Sequence, residues 1–325
     1  MVRNEGGNAM AEPIIRVRDI AWVRLRSPDL DQAERFLTDF GLLRSARTAT
    51  ALYMRGTDPA HHCHITELGA PKVLALGFHA ESEADLRRLA QATGSAVAPL
   101  EEPGGGQVVR LKEPNGFTIE VVHGLAMLDP LPVLTSLLNT GPERRRKGTL
   151  QRISPRPCQV KRLGHAVLST PDIAGSRAWA HRHLGLIVSE DVHADDDPGT
   201  ILASFNRTDR GEAFVDHHTM MFARHERAGL NHAAFEVQDI DDLHAGHDHL
   251  RAQGLYHHIW GIGRHLLGSQ VFDYWKDPWG RVHEHWTDSD LLNAGTPPRL
   301  LPRSQGLRSQ WGPQSPQEFR DAASE

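Results

Sequence analysis

The sequence predicts an α+β protein assembled from tandem copies of one small unit, a strand followed by a helix and then further strands. Two observations carry that reading. Between residues 19 and 125 the order strand, helix, strands occurs twice over. After Lys161 the same pattern returns, in segments that can be laid over the first half.

The first strand is IAWVRLRS, from Asp19. Pro28 and Asp29 then lead into Leu30–Phe40, where Leu30, Ala33, Phe36, Leu37 and Phe40 share one face; Asp29 is placed to cap this helix and Gly41 to stop it. Strands follow at Ala51–Arg55 and 61–68. A second unit opens with VLALGFHA, passes through a helix at 82–91, and closes with two strands around Glu113-Pro114-Asn115-Gly116. Residues 126–159, with LDPLPVLTSLLN, GPERRRKG and SPRP, are expected to form a linker with a short helix in its first part. The expected organisation is a disordered lead (1–13), a first domain (14–125), the linker (126–159), a second domain (160–290) and a C-terminal tail (291–325). That tail, rich in Pro, Ser, Gln and Arg, reads equally as a free end, a lid or an oligomer arm.

Composition excludes several classes of function. A formal net charge of −5 gives no reason to expect nucleic acid, and the basic run at 144–147 falls in the linker. No apolar run reaches the roughly 18 residues of a membrane span, and the amino terminus lacks the apolar core of a secretion signal. Two cysteines, Cys63 and Cys158, allow at most one disulfide, so a cytoplasmic protein is expected. Histidine is the informative residue: 16 of 21 follow residue 160. Those in helix-like stretches, His181, His183, His244, His247 and His249, are expected on solvated faces.

In the repeat, GHAVLSTPD (164–172) lies over AWVRLRSPD (21–29), LNHAAFEV over VLALGFHA, and YWKDPWGRVHEHW over RLKEPNGFTIEVV. His165 then matches Trp22, His232 matches Ala75, and Glu284 matches Glu120. Parity agrees: Ile119 and Val121 turn Glu120, and by position Glu284, to the face opposite the helices, and Phe235 and Val237 do the same for His232. The turn Asp277-Pro278-Trp279-Gly280 pairs the strands bearing Tyr274 and Glu284. Two imidazoles and one carboxylate from separate strands form a set that holds non-haem Fe(II) with positions open, and the same ligands accept Mn(II). His283 with His285 is the rival pair. Trp260, Trp275, Trp279 and Trp286 are candidates for either pocket or core.

These residues resemble the two-domain type I extradiol ring-cleaving dioxygenases of the vicinal oxygen chelate superfamily, over about residues 15 to 290. The resemblance implies four βαβββ modules, two to each open-barrel domain, with the metal in the second. It implies that His165, His232 and Glu284 are the metal ligands. The His-x-Thr pattern in Asp216-His217-His218-Thr219 selects His217 as catalytic, with His218 the rival; His265 and Tyr274, nine residues apart, would contact substrate. The implied reaction is O2-dependent cleavage of a catechol-type diol beside its hydroxyls, in a homo-oligomer. A glyoxalase or isomerase of the same superfamily, or a ligand-sequestering protein, is the alternative.

Overall fold

A computed structural model describes residues 12–325, so most of the expected disordered lead lies outside the described residues. The first half contains β1 (Asp19–Ser27), α1 (Leu30–Phe40), β2 (Leu43–Arg47), β3 (Ala51–Arg55), β4 (His64–Leu68), β5 (Lys72–His79), α2 (Glu83–Thr93), β6 (Val97–Pro99), β7 (Gln107–Lys112) and β8 (Thr118–His123). The second half continues with β9 (Arg162–Thr170), α3 (Ile173–Leu184), β10 (Leu186–Ala194), β11 (Asp197–Thr208), β12 (Val215–Asp216), β13 (Met220–Arg224) and β14 (Gly229–Glu236). It then adds α4 (Ile240–Gln253), β15 (His257–His265), β16 (Val271–Lys276) and β17 (Val282–Thr287). The chain ends with β18 (Leu291–Leu292), β19 (Arg299–Pro302), α5 (Arg303–Gly306), β20 (Ser309–Trp311) and α6 (Gln317–Arg320).

The first sheet has eight strands in the order β2-β3-β4-β1-β5-β8-β7-β6, and the second has ten, β19-β10-β11-β13-β9-β14-β17-β16-β15-β20. Each half is two βαβββ modules joined through the antiparallel pairs β1 with β5 and β9 with β14. The short strands β2 and β6 were not legible because LRSAR and VAP lack a buried alternation. Helix ends follow local chemistry. Asp29 accepts from the backbone amides of Asp31 and Gln32, and Gly41 closes α1 at φ 111°.

Strand parity decides what each sheet offers its two faces. On β1, Val23 and Leu25 join the α1 side chains in the main apolar core, whereas Trp22 lies on the other face with Tyr53, Ile65 and Val122. On β9, Leu163 and Leu168 enter that core, leaving His165 and Val167 to line a cavity. The main core is continuous across both halves: Phe40 stacks on His285 at 3.7 Å, and His283 lies against Phe36, Phe40 and Phe235. The rival pair His283 and His285 is therefore packing between the halves.

Two expectations are corrected here, and the alternatives for the tail are narrowed. The linker has no helix among its described residues; Pro130 and Pro132 interrupt the pattern, and its amides bond elsewhere, Leu131 to the Thr57 carbonyl, Leu134 to Gln159 and Ser136 to Asp239. The tail is not free: β19 pairs with β10, β20 pairs with β15, and the Glu325 carbonyl accepts from the Val73 amide in the first half. Of the helical histidines, His244 is exposed, but His247 bonds to buried Asp273 and His249 to Asp39. No helix among the described residues is long and apolar enough to cross a membrane.

The buried histidines predict a pH dependence. Burial pushes His62 from its ordinary 6.5 down to about 3, and burial also takes His64 well below its ordinary value. The unfolded chain binds these protons first, so the stability from neutral burial is complete above pH about 6.5 and drains as pH falls below it. Urea unfolding at pH 7 and pH 5 is expected to differ by about 2 kcal/mol from His62, with a further loss of the same sign from His64. A change below about 1 kcal/mol in total would show that water reaches both rings in the native state.

Candidate active site and metal centre

The site begins with a cross-strand row. His165 on β9 lies opposite Ala234 on β14, which lies opposite Glu284 on β17, which in turn faces Tyr274 on β16. His232, two residues before Ala234, points to the same side. Their donor atoms converge: His165 Nε2 and His232 Nε2 are each 3.2 Å from Glu284 Oε2, and all three side chains are buried.

The equivalent row in the first half runs Trp22, Gly77, Glu120 and Arg110. Here the carboxylate is satisfied by protein. Glu120 accepts from the Trp22 indole at 2.9 Å and from Arg24 and Arg110 at 3.0 Å each. A Cβ at Gly77 would come within 2.6 Å of the Trp22 ring, so glycine is what lets the indole occupy the position that His165 holds in the second half.

In the second half that satisfaction is missing. Both Glu284 oxygens and His165 Nδ1 are buried without a hydrogen-bond partner among the described residues; the 3.2 Å contacts do not have hydrogen-bond geometry. Burial pushes the Glu284 carboxyl up, yet His165, His232 and His265 outweigh it and hold the group well below the usual carboxylate range. Burial lowers His165, keeping the imidazole neutral. An anionic carboxylate beside neutral imidazoles is the protonation state that a divalent cation requires. Ligand atoms at ~2.1 Å from a metal in neighbouring positions lie ~3 Å apart, close to the separations found. The residues fit a metal with two nitrogens and one oxygen.

A second cluster, His247, His258 and Asp273, differs in the decisive respect. Asp273 already accepts from Trp275 at 2.6 Å, His258 at 2.7 Å and His247 at 3.1 Å, so its charge is met without an ion.

Around the triad is a cavity of about 450 Å³ with apolar walls that include Val167, Phe205, Met221 and Leu267. Its polar groups include His218, His265, Tyr274, Asn231 and Gln270, and four arginines, Arg224, Arg303, Arg308 and Arg320, stand along it. His265 Nε2 and the Tyr274 hydroxyl are 2.8 Å apart. Of the four tryptophans, Trp260 lines the cavity, Trp275 and Trp286 are fully buried, and Trp279 covers Arg281.

Of the selected His217 and its rival His218, the structure places His218 on the cavity wall. His218 lines the cavity, its ring 4.1 Å from that of His165; His217 is turned away toward Glu190, with Nε2 2.9 Å from that carboxylate. A Cβ at Gly268, whose φ is 74°, would press on the His217 ring at 3.0 Å. The two histidines are nonetheless linked, Nδ1 to Nδ1 at 3.1 Å. With the neutral His217 ring donating from Nε2 to Glu190, its Nδ1 accepts from His218 Nδ1–H, and the lone pair of His218 is then on Nε2. Burial takes His218 well below its ordinary value. Sequence reasoning missed Glu190, Asn231 and Phe319. Asn231 adjoins the candidate ligand His232 in sequence, a signal that could have found it; Phe319 lies in a stretch without periodicity.

Comparison with known proteins bears on this arrangement. A profile of the Glyoxalase/Bleomycin resistance protein/Dioxygenase superfamily matches residues 162–284. Metapyrocatechase 2 of Cupriavidus necator is 31% identical over 317 residues, covering 95% of this chain and 93% of its own. The chain belongs to the extradiol ring-cleaving dioxygenases of that superfamily. A second relative of this dioxygenase, the manganese-dependent 2,3-dihydroxybiphenyl 1,2-dioxygenase of Geobacillus genomosp. 3, is 23% identical over 79% of this chain and 80% of its own. The dioxygenase also shares its fold with homoprotocatechuate 2,3-dioxygenase from Brevibacterium fuscum, at a TM-score of 0.78, 20% identity, and coverage of 97% of this chain and 95% of that one.

Proposed function

We propose that His165, His232 and Glu284 hold Fe(II), and that the enzyme opens the ring of a catechol-type diol beside its two hydroxyls with O2. The observation that carries this reading is Glu284: a carboxylate held well below the usual carboxylate range, fully buried, without a hydrogen bond, against His165 and His232, which line the cavity. Fe(II) held by His165, His232 and Glu284 would supply the redox capacity for joining a diol to O2. Mn(II) is accepted by the same ligands.

The protein's own groups supply position and proton handling. The Tyr274 hydroxyl and His265 Nε2 hydrogen-bond the diol oxygens and fix which ring edge faces the metal. His218 Nε2 takes a proton from the bound diol and returns one as the ring opens. Leu267, Phe205 and Phe319 exclude water from the ring. Two free, buried cysteines support a cytoplasmic setting. Exposed Leu134, Leu137, Leu138 and Leu150 on the linker support self-association, which sedimentation would read as a mass above 36.1 kDa.

Anaerobic protein loaded with Fe(II), mixed with catechols and then exposed to air, is expected to consume one O2 per diol and form a yellow ring-opened product. Mn(II)-loaded protein run in parallel ranks the two metals. Stoichiometric metal binding with no O2 uptake on any diol tested would exclude the ring-cleavage reading.

A further inference from the structure

We propose that the last seven residues of the chain orient the metal ligand His232, acting through Asn231 as a positioning residue. The inference rests on the reading of His232 as a ligand and adds a device for holding it in its ligating form.

Asn231 is buried beside His232 on β14. Its amide nitrogen donates to two backbone carbonyls, those of Phe319 at 3.3 Å and Ala322 at 3.0 Å. Carbonyl oxygens only accept, so the side-chain oxygen of Asn231 is the atom that faces His232 Nδ1, at 2.7 Å. An amide oxygen also only accepts. His232 must therefore carry its proton on Nδ1, and the lone pair of the neutral ring is on Nε2, the atom 3.2 Å from Glu284. A hydrogen bond of this kind sets both tautomer and ring angle of a metal-binding imidazole.

Both carbonyls belong to the C-terminal segment, which other contacts hold in place. Ser169 donates to the Ala322 carbonyl at 2.9 Å, Ser324 exchanges two backbone bonds with Leu230 at 2.7 and 2.8 Å, and the Glu325 carbonyl accepts from Val73 at 2.7 Å. The Phe319 ring lies 5.5 Å from that of His232. His165 has no counterpart to Asn231, since its Nδ1 is buried without a partner. The relay therefore reaches one ligand and not the other. A segment that merely covered the cavity would alter entry of substrate and leave metal affinity untouched.

The test is a double-mutant cycle read as Mn(II) affinity of the full chain, of a chain ending at Glu318, of Asn231→Leu, and of the two changes combined. Each single change is expected to weaken Mn(II) binding about 10- to 100-fold, with the combination no worse than the more severe single change. A chain ending at Ala322, which keeps both carbonyls, is expected to lose less than the chain ending at Glu318. Multiplying effects, or a Kd within about twofold of the full chain in both single variants, would overturn the relay. If the shortened chain does not fold, Asn231→Leu alone decides: the same loss supports the relay and an unchanged Kd overturns it. His232→Ala separates the two levels of the argument. Metal binding that survives in it refutes the ligand reading itself, whereas its loss with normal binding in Asn231→Leu refutes only the relay.

Discussion

Glu284→Gln protein will purify without metal, and its Kd for Fe(II) or Mn(II) will rise on the order of 10³-fold, beyond the 10- to 100-fold that removal of a supporting group costs. Gln keeps the volume and removes the charge that would balance a divalent cation held with His165 and His232. The metal-free comparison is equally informative. Wild-type protein without metal carries a buried carboxylate whose oxygens have no hydrogen bond, so the variant is expected to melt no lower than metal-free wild type. What it loses is the gain from metal binding, about 2.7 kcal/mol at a hundredfold excess over Kd. Thermal melts with and without metal, read beside metal content, check both halves. A variant that retained stoichiometric metal and full turnover would remove Glu284 from the ligand set.

His218→Phe is expected to keep its metal and lose turnover, with kcat down by about 10²- to 10⁴-fold, the usual worth of a positioned proton carrier. His217→Phe separates the neighbours. It leaves the group at the cavity and removes only the partner that fixes its tautomer, so a smaller loss, on the order of tenfold, is expected. Single-turnover rates with metal content measured on the same samples distinguish these outcomes from loss of the metal. The reverse order, a large loss at His217 and a small one at His218, would return the proton-carrying role to the residue that the His-x-Thr spacing selects.

The triad was legible because two kinds of information coincide on the same residues. The internal repeat put His165, His232 and Glu284 against Trp22, Ala75 and Glu120, and period-two alternation put them on the face away from the helices. Pairing register then shows why that works: equivalent positions form the same cross-strand row in each sheet. Alternation gave no such guide for His217. It sits between β12 and β13, outside any paired strand, where alternation has no ladder to act on and a shift of one residue changes the face.

The C-terminal segment shows the other limit. Nothing in its composition distinguishes a free end from a lid, because its order comes from pairing with strand edges more than forty residues away and from carbonyls that any residue would provide. The same holds for Cys158, seated where a Cβ on Gly41 would meet its carbonyl oxygen at 2.1 Å and one on Gly246 its sulfur at 2.0 Å. Local chemistry, read along the chain, was enough to name the module, its duplication, and the nitrogen and oxygen atoms that could meet a cation, since capping, turn residues and alternation act over a few positions. Which of two adjacent histidines faces the cavity, and what the final residues touch, were settled only by long-range packing, where the partner is chosen by three-dimensional proximity and leaves no periodic trace in the order of residues.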